Sequence, residues 1–168
     1  FPLHTWQPDT YEQSPTAVTM VLSAVMVKMG LYGIIRWLMP LFPAAFASHE
    51  NFVIVLSLIG VIYASFIAIR QDDVKRLIAY SSIAHIGLMS AAIFTNTSIG
   101  MQGVLIQLFS HGINVLGLWI IADIIEHQSG TRSMKALGGL AKHQPTLAIL
   151  LVGFAFANIA LPLTNAFV

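Results

Sequence analysis

Long apolar stretches broken by short polar knots divide this chain into predicted helices. Residues 15–39, PTAVTMVLSAVMVKMGLYGIIRWLM, form the first apolar stretch, and a bilayer-spanning helix needs roughly 20 such residues. Ser14 and Pro15 predict its start, with the serine as N-cap and the proline at the first helical position. Pro40 and Pro43 predict its end. Further apolar stretches cover residues 52–69, 74–94 and 101–126, and a last one begins near Gln144-Pro145 and is interrupted at Pro162. Asp72 or Asp73, in the knot Arg70-Gln71-Asp72-Asp73, is placed to cap the third helix. Residues 1–14 stand apart from residues 15–168: they are polar and aromatic, Pro2 and Pro8 exclude a long regular helix, and Trp6 and Tyr11 suit a membrane interface. The pattern predicts an all-α, polytopic transmembrane helix bundle of about five spans with a broken last helix.

Composition agrees. The chain has 168 residues, 57% of them hydrophobic and 9% charged, with mean hydropathy +0.79. A soluble domain carries about 25% charged residues, so this balance belongs to an integral membrane protein. A net charge of +1 argues against nucleic acid as a partner. The absence of cysteine excludes disulfides, thiolate chemistry and cysteine-ligated iron–sulfur clusters. Lys and Arg are missing from the first and third connections, whereas Arg70, Lys75 and Arg76 mark the second and Arg132, Lys135 and Lys142 the fourth. The positive-inside rule puts the second and fourth connections on the cytoplasmic side, and the spans then alternate without a misfit. The chain opens on Phe1 without a signal-peptide pattern and closes within an apolar run, so it is expected to be an internal fragment of a longer protein.

Three ionisable residues interrupt the apolar spans: Lys28 in the first, His85 in the third and His111 in the fourth. Lys28 is roughly 18 Å from either end of its helix, too deep for its side chain to reach water. A charge at that depth costs roughly 2.5–3.5 kcal/mol on insertion scales, which makes it a functional candidate. Ser81 and Ser82 precede His85 by four and three residues, while Gln107, His111 and Asn114 share one helical face. Histidine titrates near neutral pH, so such a row bridged by water can pass protons. The competing reading is an ordinary interhelical hydrogen bond for each histidine and a static ion pair for Lys28. Pro162, with Asn158 and Asn165 beside it, reads either as a discontinuous helix of the kind transporters use or as a simple kink. Asp72 and Asp73 read as a solvated knot, and Asp123 and Glu126 as partners of water or nearby basic groups. No phosphate loop, metal-ligand cluster or nucleophile triad is present in the sequence.

The segments FPLHTWQPDTYEQSPTA, VKMGLYGIIRW, DDVKRLIAYSSIAHIGLM, GVLIQLFSHGINVLGLW and ALPLTNAFV resemble the antiporter-like proton-pumping subunits of respiratory complex I, in order and over nearly the whole chain. Gln7 departs from a common leucine, and Asn114 from a usually smaller residue. The resemblance implies part of a 14-helix fold with two broken helices, in which Phe1 falls within the first break and the five spans match the eighth to the twelfth. It implies that Lys28 is the central lysine of a buried polar axis and that His85 and His111 continue the path outward. Ser81, Ser82, Gln107 and Asn114 would support that path, and Pro162 would mark the second broken helix. The fragment would start after the family's earlier lysine–glutamate pair and stop before its last glutamate, so it should not pump alone.

The activity implied is that of a subunit of NADH:quinone oxidoreductase, coupling NADH oxidation and quinone reduction to proton transport. No cofactor or metal is expected in this chain, because flavin, iron–sulfur clusters and quinone belong to partner subunits. The expected partners are other membrane-arm subunits, neighbouring antiporter-like ones included, and the lipid bilayer. The expected location is the bacterial plasma membrane, or the mitochondrial inner membrane in a eukaryote. Alternatives are a homologous subunit of a multi-subunit sodium/proton antiporter or membrane-bound hydrogenase, a haem-binding electron-transfer protein with His85 and His111 as axial ligands, and a purely structural bundle.

Overall fold

Apolar length decides most of the architecture. The computed structural model describes residues 2–162 and 164. A short helix, α1 (Trp6–Gln13), leads into α2 (Thr16–Leu41), α3 (Pro43–Ile69), α4 (Val74–Phe94) and α5 (Ser98–Ser129). A single turn, α6 (Leu140–His143), precedes α7 (Pro145–Asn158). Four helices, α2 to α5, are long and apolar enough to cross a membrane. The 14 residues of α7 span about 21 Å at 1.5 Å each, short of the hydrocarbon thickness of about 30 Å. It is a half-span. Among the described residues there is no strand beyond one isolated bridge, Asp73 with Ser133.

The helix starts and stops follow local chemistry, with instructive departures. Asp73 caps α4 by accepting from the amides of Lys75 (2.7 Å) and Arg76 (3.2 Å). Thr97 caps α5 through the amide of Gly100, and Gly130, at φ +66°, closes it in the left-handed conformation that glycine adopts without strain. At the start of α2 the expected cap shifts by one residue. Pro15 holds the N-cap position, and the Ser14 hydroxyl pairs with Thr19 Oγ1 at 2.7 Å instead of with backbone amides. Pro40 lies inside α2, because a π turn over Ile34–Leu38 widens the helix just before it, and the corner falls at Phe42.

The two basic connections meet at one end of the bundle, as the charge pattern requires. Val74 N donates to Arg132 O (3.1 Å) and Met134 N to Asp72 O (2.8 Å). The Ser133 hydroxyl donates to Asp72 at 2.5 Å and, with the amide and charge of Lys135, holds that carboxyl below the usual carboxylate range. Helix α1 docks at the same end through Arg76, which bonds Glu12 (2.6 Å) and Asp9 (2.5 Å). Trp6 is exposed, but Tyr11 is buried edge-on against Trp119, with ring centroids 6.0 Å apart. Its phenol accepts from the Gln7 amide at 2.9 Å, so Tyr11 packs into the protein at this end of the bundle.

Beside a small cluster of Ile121, Ile125 and Leu147, two larger apolar cores stack along the bundle. The inner one joins Tyr11, Ile78, Val115, Leu118 and Trp119. The outer one joins Leu31, Phe46, Met89, Ile93, Phe94 and Val104. Lys28 on α2, His85 on α4 and His111 on α5 fall between residues of these two clusters. The outward faces carry large apolar side chains, Val55, Ile62 and Phe66 on α3 among them, as expected against lipid.

Candidate functional site

Between the two cores lies a polar layer. A π turn over Leu22–Met26 inserts one extra residue into α2 just before Lys28. The Lys28 side chain leans back toward the helix N-terminus, as helical side chains do, and its ammonium donates to Ser23 O across that turn. Lys28 is buried, with 7% of its surface exposed. Among the described residues no carboxylate pairs with it. Its neighbours are Ala24, Val25, Met29 and Tyr32 on its own helix and Leu108 and Phe109 on α5, around an open groove of about 350 Å³.

Helix α5 comes close to the same turn because residue 112 is glycine. A Cβ at Gly112 would meet Ala24 O at 3.3 Å. This approach puts His111 in the layer, where it is 1% exposed. His85 of α4 faces it, with ring centroids 4.8 Å apart and planes tilted by 55°. Neither ring nitrogen of His111 has a partner among the described residues, and the buried hydroxyls of Ser82 and Ser110 have none either. Unpaired buried polar atoms are rare in folded proteins and mark places where ordered water bonds.

The other expected polar residues divide. Ser81 accepts from Asn158 Nδ2 at 3.1 Å, and Asn114 donates to Ala157 O at 3.1 Å. Both serve the end of α7. Gln107 is half-buried on the face of His111 and makes no side-chain hydrogen bond among the described residues. Pro162 lies beyond the helix, which already ends at Asn158. Asn165 lies outside the described residues.

Sequence reasoning missed a hydroxyl ladder leading to Lys28. Ser23 Oγ donates to Thr19 O (2.7 Å), and Thr19 Oγ1 pairs with Ser14 Oγ and donates to Tyr11 O (3.1 Å). Thr19 and Ser23 are almost wholly buried. Their four-residue spacing in an apolar span was the available signal, but the five residues from Ser23 to Lys28 fit one face only across a π turn. Below the ladder lies a charged pocket of about 680 Å³ lined by Glu12, Ser14, Thr16, Lys75, Asp123 and Glu126, among others. Lys75 there pairs with Glu126 at 2.5 Å and donates to Thr16 Oγ1 at 3.3 Å. Thr16 in turn donates to Asp123.

The histidine pair also decides against the haem alternative. Rings 4.8 Å apart and in mutual contact leave no room for a porphyrin plane between them. Among the described residues no three His, Asp or Glu side chains converge as a metal site.

Four apolar spans around a buried lysine and a histidine pair define an integral membrane protein with a polar centre at mid-depth. Residues 1–168 match the family described as "NADH:quinone oxidoreductase/Mrp antiporter, TM", and the chain belongs to that family. It is 40% identical to NADH-quinone oxidoreductase subunit M of Rhodobacter capsulatus over 168 residues, all of this chain and 33% of that one. It is 38% identical to subunit M of Escherichia coli K12, over 99% of this chain and 33% of the relative. Among solved structures, respiratory complex I of Thermus thermophilus superposes with TM-score 0.94 at 29% identity, covering 99% of this chain and 36% of the matched one. The archaeal membrane-bound sulfane sulfur reductase superposes with TM-score 0.93 at 31% identity, covering 99% and 34%. The chain thus spans about a third of the length of the relatives it matches.

Proposed function

We propose that this chain is the central part of a proton-translocating membrane subunit of an NADH:quinone oxidoreductase, working with other membrane-arm subunits in a bacterial plasma membrane. The family membership and the subunit M relatives support this assignment. The observation that carries the mechanism is the contact of His85 with His111 in the same layer as buried Lys28, with which no carboxylate pairs among the described residues.

Protons collect in the charged pocket of Asp123, Glu126 and Lys75, and the Ser14–Thr19–Ser23 ladder leads from there to Lys28. The Ser23 carbonyl holds the ammonium; water along the ladder carries the proton, since backbone carbonyls cannot relay one. A charge change in a neighbouring subunit lowers the proton affinity of Lys28. A coupling of about 1.4 kcal/mol changes that affinity tenfold, well within the range of typical allosteric couplings of about 1–3 kcal/mol. The proton released passes to the imidazole pair, whose unpaired nitrogens accept and return it, and continues past the end of α7. Electron transfer, with its flavin, iron–sulfur clusters and quinone, takes place in partner subunits.

Replacing His111 by Phe in the parent complex keeps the volume and removes the titratable nitrogens. NADH-driven proton movement should be lost with assembly intact. Unchanged proton movement would remove the histidine pair from the path.

A further inference from the structure

The end of α7 is a built feature, and it precedes the proline that would be expected to cause it. Leu161 N donates to Phe156 O (3.2 Å) and Ala160 N to Ala157 O (3.3 Å), the paired bonds of a Schellman motif. The motif requires a left-handed residue at its turning point, normally glycine. Ala160 occupies that position at φ +56°. A Cβ there is strained, and such strain persists only where the surroundings over-determine it.

The surroundings do so through two asparagines. Asn114 of α5, 3% exposed, donates Nδ2 to Ala157 O at 3.1 Å, adding a second donor to a carbonyl already used by the motif. Asn158, the last residue of α7, donates Nδ2 to Ser81 Oγ of α4 at 3.1 Å. Close packing reinforces both bonds: a Cβ at Gly117 would overlap the Phe154 ring at 2.2 Å, so α7 lies directly on the backbone of α5 one turn from Asn114. These two anchors connect with the histidines. Asn114 follows His111 by three residues and Ser81 precedes His85 by four, so each anchor is about one helical turn from a histidine on the same face.

We infer that Asn114 and Asn158 form a two-point clamp that fixes the strained end of α7 to both histidine-bearing helices and so holds the break in register with the His85–His111 pair. The clamp rests on the proton-path reading for its consequence, but not for its existence. Both asparagines are positioning residues. They set where the helix ends, and thereby the position of that end relative to the imidazole pair.

The test uses the full parent complex carrying Asn114→Leu or Asn158→Leu, each close in volume and lacking the amide. Amide hydrogen exchange in the peptide spanning residues 156–161 reads the clamp directly. Loss of one hydrogen bond of average net strength speeds local exchange about fivefold, and the peptide around Lys28 should not change. Protons moved per NADH oxidised, measured in sealed membranes, should fall in the same variants. A merely structural defect lowers the amount of complex and both rates together, leaving that ratio unchanged. If Asn114→Leu does not assemble, Asn158→Leu and Asn114→Ala carry the same two readouts. Exchange at residues 156–161 equal to wild type in the assembled variants overturns the clamp, even if the histidine variant abolishes transport. Faster exchange with an unchanged ratio overturns the positioning role. A transport-competent His111→Phe protein would refute the proton path alone, since the exchange result stands apart from it.

Discussion

Neutralising Glu126 should destabilise the inner end of the bundle through the lysine it leaves behind. The side chain of Lys75 is only 8% exposed and pairs with Glu126 at 2.5 Å, and Arg132 Nε lies 3.4 Å from the other carboxylate oxygen. After Glu126→Gln, Lys75 keeps Thr16 Oγ1 at 3.3 Å as its nearest partner. Breaking a fully buried pair costs about 3–5 kcal/mol, whereas exposed pairs contribute about 0–1 kcal/mol. Glu126 is about a third exposed, so solvent screening reduces the expected cost to about 1–3 kcal/mol. The assay is a double-mutant cycle of Glu126→Gln and Lys75→Met in the parent complex, read by thermal denaturation midpoints. Lys75→Met removes the stranded charge, so the double variant should be more stable than Glu126→Gln alone. A neutral Glu126→Gln, or strictly additive single effects, would refute the claim that Lys75 is held by this carboxylate.

Two further outcomes follow from local geometry. Ala160→Gly relieves a left-handed alanine strained by about 1–2 kcal/mol, partly offset by the greater freedom of glycine in the unfolded chain, about 0.5–1 kcal/mol; a small rise in the denaturation midpoint is expected, and a fall would contradict the turn assignment. Burial pushes the Tyr11 phenol up to about 12, against the opposing hydrogen bond from Gln7. The folded state then retains the phenolic proton where the unfolded chain loses it, so this stabilisation is complete below about pH 10 and is lost between about pH 10 and 12. Ultraviolet difference titration should find no ionisation of Tyr11 at pH 10 in the folded protein, and Tyr11→Phe should flatten the alkaline loss of stability.

The spans were legible in the sequence because burial in lipid demands unbroken apolar length, and α2 to α5 supply it. Lys28, His85 and His111 were legible for the opposite reason, as ionisable groups that an apolar span tolerates only at a price in insertion energy. The alternation of basic connections puts the second and fourth on one side, and the bonds from Val74 to Arg132 and Met134 to Asp72 show in addition that they meet. What remained hidden depends on backbone register. The π turn before Lys28 brings the Ser23 carbonyl within its reach, and no residue pattern announces it. Thr19 and Ser23 are small hydroxyl residues in a hydrophobic run, and residue type alone does not single them out. Pro162 signalled a break, but the left-handed turn at Ala160 places that break earlier in the chain. Tyr11 suited an interface by type and is buried because α1 folds back against Trp119.

The proposed proton path turns on Lys28, buried between the hydroxyl ladder and the imidazoles. The most direct test changes Lys28 to Ala in the parent complex and records NADH oxidation and the proton gradient together in sealed membranes. Loss of the gradient with the complex fully assembled is the predicted result. A normal gradient would contradict the account and leave Lys28 as a structural cation held by the Ser23 carbonyl.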